Sequence, residues 1–552
     1  MNSSTLPLNL SHNNILLKLL FIIAGMLLLS RVAWMCDDAY ITFRVVDNFI
    51  NGYGLRWNID ERVQVYTNPL WMLLISGFYA LTKEMYFTSL AVSIVLSLAA
   101  IYIVTFHLAR SWFVATLVVF ILFSSKAFSH YSASGLENPL TFLLIALFYL
   151  IYFNRESQRS PYLTLFWLSF ICALAMVNRI DNAVFFIPVL LMLMWKMRFR
   201  QTLGIMILGF MPFLLWELFS IIYYGFLFPN TAYAKLGGGI PHYKLIIQGV
   251  IYLVESLFRD PITLFIITFA IVIPLWTRRT HLYPLVLGLF LSILYVINVG
   301  GDFMSGRFLS APLFLATIIF SQLDWVNLTL FDKLSHPLTL MILLLCILSS
   351  VAYLSPINWI ESPYESTRSY LLDKYPNYFL YVPRPTEARQ QWLGKRRKLV
   401  MFNVSDERLV YYPLTGLWRT KPDVEMPNHF WAHAGKVAKA RGEQISVQGG
   451  CGFFGFYAGP SVHVLDVFGL TDPLLARLPP VLIWRVGHLE RKLPQGYLAS
   501  IAQNSNLIED QDLSILYGEL RLITRGELFS RQRWAAIWKL NFLGSAPITK
   551  NL

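Results

Sequence analysis

Apolar stretches of about twenty residues recur along this chain. That length of helix, at 1.5 Å per residue, matches the ~30 Å hydrocarbon thickness of a bilayer. Such stretches have few ways to fold, because away from water every backbone group must be bonded within the segment, which favours helices. They fall at residues 14–34, 87–107, 112–127, 138–153, 162–178, 183–196, 203–223, 261–277, 282–299, 308–324 and 337–354, predicting about eleven transmembrane helices. Composition agrees. Of 552 residues, 56% are hydrophobic and 14% charged, and the mean hydropathy is +0.53. Soluble domains carry roughly 25% charge, so disorder is excluded and a wholly soluble enzyme disfavoured. The sequence shows no internal repeat.

The linkers alternate in character. One set is short and basic (Arg110; Lys196 and Arg200; Arg278 and Arg279), and the positive-inside rule places it in the cytoplasm. The other set is then outside, with the N-terminus inside and everything after residue 355 outside. The net charge of +13 belongs first to the inner loops, and nucleic acid is not an expected partner. The first apolar run ends in Cys36-Asp37-Asp38 with no small-residue cleavage site, which reads as a retained helix. Pro69–Leu81 and Ile246–Phe258 are too short to span and read as interfacial helices. The expected organisation is a membrane domain over residues 1–355, with a large first outer loop at 35–86, and a mixed α/β extracytoplasmic domain over 356–552. Within the latter, Val462–Val467 alternates like a strand, and Gln511–Glu519 and Arg531–Leu540 read as short helices. The four cysteines form no CxxC pair. Cys172 and Cys346 sit in apolar runs, whereas pairing of Cys36 with Cys451 stays open.

The polar residues are one-sided. Asp37-Asp38, Ser134–Glu137, Asn178–Asp181, Pro229–Lys235 and Gly300–Arg307 all fall at the outer ends of spans. Carboxylates beside hydrocarbon are costly unless paired or placed in a wet cavity, so this convergence predicts a cavity at the outer interface. Asp37 and Asp38 suit a general base for a hydroxyl, with the neighbour orienting it or binding a cation. Arg179, Lys235 and Arg307 are candidate phosphate ligands, the arginines as forks and the lysine as a point charge. Ion pairing of Arg179 with Asp181, or of Arg307 with Asp302, is the alternative reading.

Other patterns carry less. Gly450–Gly455 matches GxGxxG, but Tyr457-Ala458-Gly459-Pro460 follows at once, so no dinucleotide-binding helix is expected. His429 and His433 are spaced i,i+4 without a third ligand nearby. No metal site is assigned, although a divalent cation at the carboxylates stays open.

The motifs together resemble a known family. Asp37-Asp38-Ala39-Tyr40-Ile41-Thr42-Phe43-Arg44, then Asn51-Gly52-Tyr53-Gly54-Leu55, Glu61-Arg62-Val63 and Tyr66-Thr67-Asn68-Pro69-Leu70-Trp71, are similar to the GT-C membrane glycosyltransferases. More narrowly, they resemble the terminal arabinofuranosyltransferase (AftB-like) family and its LphB-like relatives. Ser134–Glu137, Asn298–Leu309 and Val464–Asp472 with Gly487-His488 extend the likeness along most of the chain. Where relatives often have Glu-Gly-Tyr-Thr-Asn, this chain has Gln64-Val65-Tyr66-Thr67-Asn68, one carboxylate fewer. The resemblance implies transfer of a sugar, a pentofuranose such as arabinose among the options, from a polyprenyl-phosphate donor to a hydroxyl of a periplasmic cell-envelope glycan. It implies residence in a bacterial inner membrane with the active site on the periplasmic side. Within that reading Asp37 and Asp38 are catalytic and Arg179, Lys235 and Arg307 hold the donor phosphate. Arg44, Tyr66, Asn68, Glu137, Asp181 and Asp302 bind substrate, with Asp466, Asp472 and His488 facing the acceptor. A lipid-linked sugar transporter or flippase is the competing reading.

Overall fold

In the computed structural model, which describes residues 15–154, 160–197, 199–236, 239–323 and 404–543, the apolar stretches are helices. In order they are α1 (Ile15–Val32), α2 (Asp37–Ile50), α3 (Pro69–Thr82), α4 (Tyr86–Ile103), α5 (Trp112–Ser124), α6 (Lys126–Tyr131), α7 (Asn138–Phe153) and α8 (Pro161–Asn178). There follow α9 (Ala183–Lys196), α10 (Phe199–Gly209), α11 (Met211–Tyr223), α12 (Asn230–Leu236), α13 (His242–Arg259), α14 (Pro261–Trp276), α15 (Tyr283–Val299) and α16 (Ser310–Ser321). Three helical stretches are long and apolar enough to cross a membrane alone: Tyr86–Leu108, Pro161–Asn178 and Thr280–Val299. Counting each bent pair as one span makes five among the described residues. The expected span at 337–354, Cys346 and the boundary at 355 lie outside the described residues.

The helix ends follow from local chemistry. Ser111 and Ser160 accept bonds from the backbone N–H groups of Val114 and Leu163, and Pro161 opens α8, where its missing N–H costs nothing. Glu84 accepts from the N–H groups of Tyr86, Phe87 and Thr88 and so caps α4. Proline also sets the bends. α13 and α14 meet at 112° at Asp260-Pro261, where the residue before the proline is driven out of helical geometry, and α10 and α11 meet at 57° around Phe210, where Pro212 lacks the N–H that would continue the helical ladder. The short run at Ile246–Phe258 thus belongs to a helix lying across the direction of its neighbour. The expected span at 203–223 is broken in two.

Two outer segments read as loops contain helices. Asp37–Asn68 begins with α2, and Tyr224–Tyr243 contains α12. The α2 sequence is too polar for an apolar-run criterion. Its two aspartates lie in the first turn, where the helix dipole favours them, and Tyr40, Phe43 and Arg44 are buried by a segment 400 residues away.

That segment is mixed helix and short strand. It comprises α17 (Glu407–Thr415), α18 (Phe430–Ala440), β1 (Ile445–Gln448), α19 (Gly452–Ala458), β2 (His463–Asp466), β3 (Leu482–Arg485), β4 (His488–Glu490), α20 (Tyr497–Ala502), α21 (Gln511–Arg525) and α22 (Arg531–Trp538). β1 and β2 pair in parallel, and β3 and β4 antiparallel. The strand and both helices expected from sequence are present. One apolar core runs from α1 through α16 and continues into Phe453, Phe454 and Val464. A second gathers Leu465, Leu474, Leu516, Leu520 and Ile537 around Phe226. Both cores therefore mix residues from before and after the undescribed stretch. The thiols of Cys36, Cys172 and Cys451 are buried and free, so the pairing of Cys36 with Cys451 left open by sequence does not form.

Close helix crossings depend on small residues. A Cβ on Gly249 of α13 would stand 2.3 Å from the carbonyl oxygen of Ile297 on α15. Gly77 of α3, by contrast, faces open space. Gly249→Ala should cost on the order of 1–3 kcal/mol through overpacking. Gly77→Ala should gain about 0.4–1 kcal/mol by restricting the unfolded chain. Chemical unfolding of the purified protein in detergent checks both.

Candidate functional site

The best-buried acid of the outer loops organises the site. Glu137 precedes α7 and is 1% exposed. It accepts bonds from Arg179 Nη1 at 3.0 Å, from Asn68 Nδ2 at 3.0 Å and from Arg307 Nη2 at 3.4 Å. Burial alone would raise its pKa, but the guanidinium groups of Arg307 and Arg179 prevail and hold it down at about 2. Thr42 of α2 donates to Asn68 Oδ1 at 3.1 Å, which orients the amide so that its NH2 points at Glu137. Arg179, at the end of α8, also grips Asp181 through Nε and Nη2.

Arg307 is shared among three acids. It lies 3.7 Å from Asp38, 3.5 Å from Asp302 and 3.4 Å from Glu137. Burial acts to lower its pKa, but Glu137 and Asp302 outweigh it and leave the guanidinium more firmly charged than usual. Lys235 of α12 is exposed and within electrostatic reach of Asp302 and Asp38. Asp38, with about a third of its side chain exposed, is the most accessible acid of the group. Beside this cluster a cleft of about 480 Å³, solvent mouth included, opens between α9, α15 and α16. Arg179, Asp181 and Arg307 line it together with Asn182, Tyr295, Phe185 and Val296. A guanidinium pair in a cleft of mixed polar and apolar lining is suited to an anionic group that carries an apolar portion.

The two adjacent aspartates part ways. Asp37 is buried and accepts from the backbone N–H groups of Gly452 at 3.2 Å and Phe453 at 2.7 Å. It therefore caps α19, the short helix that begins inside the GxGxxG pattern. The helix ends at Ala458, where the Tyr457-Ala458-Gly459-Pro460 stretch was expected to break the chain, so no dinucleotide-binding helix follows the pattern. The glycine at 452 is required by contact, since a Cβ would lie 1.9 Å from the Asp37 carbonyl oxygen.

Asn68, Glu137, Arg179, Asp181, Asp302 and Arg307 thus come together with Asp38, and Lys235 stands nearby. His488 lies edge-on to Phe303, one residue from Asp302, with ring centroids 4.6 Å apart. The remaining candidates hold the fold. Arg44 donates to the carbonyls of Trp57, Gly455 and Val462 and packs over the Trp57 ring. Asp466 accepts from the N–H groups of Phe468 and Leu470, and Asp472 from Leu475 N–H and Tyr497 OH. Tyr66 bonds Tyr224 OH at 2.8 Å. Thr42 and Tyr252 were not legible as site residues. Tyr252 OH donates to the Met304 carbonyl and accepts from Phe308 N–H, bracing the loop that carries Arg307. No group of three or more potential ligands arranged for a metal occurs among the described residues.

Burial pushes the Asp37 carboxyl up from 3.8 to about 7, against the two N–H bonds that lower it, with Asp38 adding to the rise. A raised carboxyl pKa means that the folded state keeps a proton the unfolded chain has released. Stability from this group is therefore full below about pH 4 and is lost as pH rises towards 7. Asp37→Asn should flatten that decline, as read by thermal melting of both proteins across this range.

No family model and no solved structure matches the chain. Two curated proteins do. A terminal beta-(1->2)-arabinofuranosyltransferase of Corynebacterium glutamicum is 25% identical over 524 residues, covering 82% of this chain and 72% of the relative. A protein of the same name from Mycobacterium tuberculosis is 26% identical over 332 residues, about half of each chain. The likeness carried by the motifs therefore extends over most of the sequence, and the chain is similar to these terminal arabinofuranosyltransferases.

Proposed function

We propose that the protein is a membrane glycosyltransferase. It moves a sugar, a pentofuranose such as arabinose, from a polyprenyl-phosphate donor to a hydroxyl of a cell-envelope glycan on the periplasmic side of the inner membrane. The observation that carries this reading is the accessible Asp38 carboxylate 3.7 Å from Arg307, which itself lines a cleft between α9, α15 and α16 together with Arg179 and apolar side chains. The names of the two relatives support the transferred sugar.

In this reading the lipid tail lies against the apolar side chains of the cleft. The donor phosphate meets Arg307 and Arg179, with Lys235 approaching from α12. As the bond between the anomeric carbon and the phosphate oxygen breaks, charge builds on the departing polyprenyl phosphate, and fixed cations stabilise it more than they stabilise the ground state. The acceptor hydroxyl attacks the anomeric carbon and passes its proton to Asp38. Asp38 replaces Asp37 as first choice for the base because both Asp37 oxygens are engaged by the α19 backbone. Arg44, Asp466 and Asp472 become positioning residues, and the extracytoplasmic segment after residue 404 presents the acceptor. No step is routed through a metal.

The bent pairs α10–α11 and α13–α14 are the feature that a transporter would share, since broken helices are common at transport sites. A reconstituted assay with radiolabelled polyprenyl-phosphate arabinose and a glycan acceptor separates the readings, because only a transferase yields labelled glycan. Asp38→Asn should lower kcat by about 10²–10⁴, the usual range for a lost general base, with little change in donor KM. Asp37→Asn should retain most of its turnover. Wild-type turnover in Asp38→Asn, with loss only in Asp37→Asn, would return the base to Asp37.

Arg307→Lys keeps a charge but loses the fork. It should raise the donor KM more than the acceptor KM. The opposite split would reassign Arg307 to the acceptor side.

A further inference from the structure

α22, near the end of the described residues, has a face that no described residue covers. α22 buries Arg533, Ala536 and Ile537, and Ile537 packs with Ile523 against Gly225. α22 runs on into a π-helical turn over Lys539–Leu543, and the opposite face of the two carries Arg531, Ala535, Trp538, Lys539 and Phe542, all exposed. Trp538 and Phe542 are each 60% exposed and Leu543 72%, and Phe529, just before the helix, is 76% exposed. The Trp538 and Phe542 rings lie 4.6 Å apart, forming one apolar plate. Lys539 reaches Glu519 at 2.8 Å, an exposed pair that ties down little.

The position of this plate identifies what covers it. Arg533 Nη2 donates to the Tyr223 carbonyl at 3.0 Å, and Asn541 Nδ2 to the Gly225 carbonyl at 2.9 Å. Both acceptors lie at the C-terminal end of α11, whose Leu214, Leu215 and Leu218 present a bare apolar surface. α22 is therefore bonded to the C-terminal end of a broken apolar span, with its exposed face turned away from that contact. A tryptophan and phenylalanines flanked by arginine and lysine, at the end of a span, have the composition of an interfacial helix.

We propose that Trp538, Phe542 and Leu543 enter the bilayer leaflet on the side of the C-terminal segment, with Arg531 and Lys539 at its phosphates. α22 would thereby fix the height of that segment above the cleft. The proposal rests on the membrane reading of the chain but not on the transferred sugar. Its occupant is the phospholipid leaflet. A second copy of the chain is the rival occupant, and the test separates the two.

The test uses the full-length protein in nanodiscs made with phospholipids brominated near the headgroup or deep in the acyl chain. Subtracting the emission of Trp538→Phe from that of wild type isolates Trp538, and this conservative change leaves the buried face of α22 intact. Trp538 should lose emission to shallow bromines more than to deep ones, as expected for residues about 5–10 Å into the headgroup boundary. Trp167, 44% exposed on α8, serves as the control through Trp167→Phe and should be quenched by the deep bromines. Quenching of Trp167 without quenching of Trp538 overturns the anchor alone. If a cysteine placed at 538 then cross-links two copies, the face is a protein interface. Quenching of neither overturns the membrane reading as well.

Discussion

A buried carboxylate is expensive unless every oxygen is answered, and Glu137 sets the terms for the outer half of this protein. Its partners come from the start of α3, the end of α8 and the loop before α16. Satisfying one charge thus draws four chain segments to one point. Removing a partner would leave an uncompensated charge, so Glu137 ties these loops to each other in addition to their apolar contacts. Arg307, fixed on one side by Glu137, has its other nitrogen left to meet Asp302 and Asp38. The polar lining of the cleft follows from that arrangement.

A second constraint joins the early outer segment to the distant C-terminal one. Asp37 caps α19 while Arg44, two turns further along α2, clamps the carbonyls of Gly455 and Val462. Tyr40 packs between Phe453 and Phe456. One face of α2 is thereby committed to the C-terminal segment, and the residue next to Asp37 is turned towards Arg307. The adjacent aspartates differ because the first is fixed by backbone donors and the second lies beside Arg307 with about a third of its side chain exposed. A disturbance of the 452–464 segment would reach Asp38 through this helix.

The apolar helices were legible because their length and hydropathy are local properties. Ala183–Lys196 and Asn138–Phe153 begin and end where the sequence places them. The helix α2 was not legible. Its polar residues are buried by a segment remote in sequence, and no window of the chain records that contact. The grouping of Glu137, Arg179, Asp302 and Arg307 at one set of helix ends was readable from where charge interrupts the apolar runs. The roles of Thr42 and Tyr252 were not, since a hydroxyl in an amphipathic helix carries no local sign of the loop it braces.

The sequence by itself determined that the chain is built of apolar helices, that its charged residues gather at one set of helix ends, and that its motifs resemble a family of sugar transferases. Each of these depends on composition, spacing or a contiguous motif. Only the tertiary structure decided which charges meet. It paired Arg307 with Asp38, Asp302 and Glu137, assigned Asp37 to a helix cap, and drew Arg44, Asp466 and Asp472 into the framework. Electrostatic pairing and capping depend on distances of a few ångströms between segments hundreds of residues apart, and folding alone sets those distances.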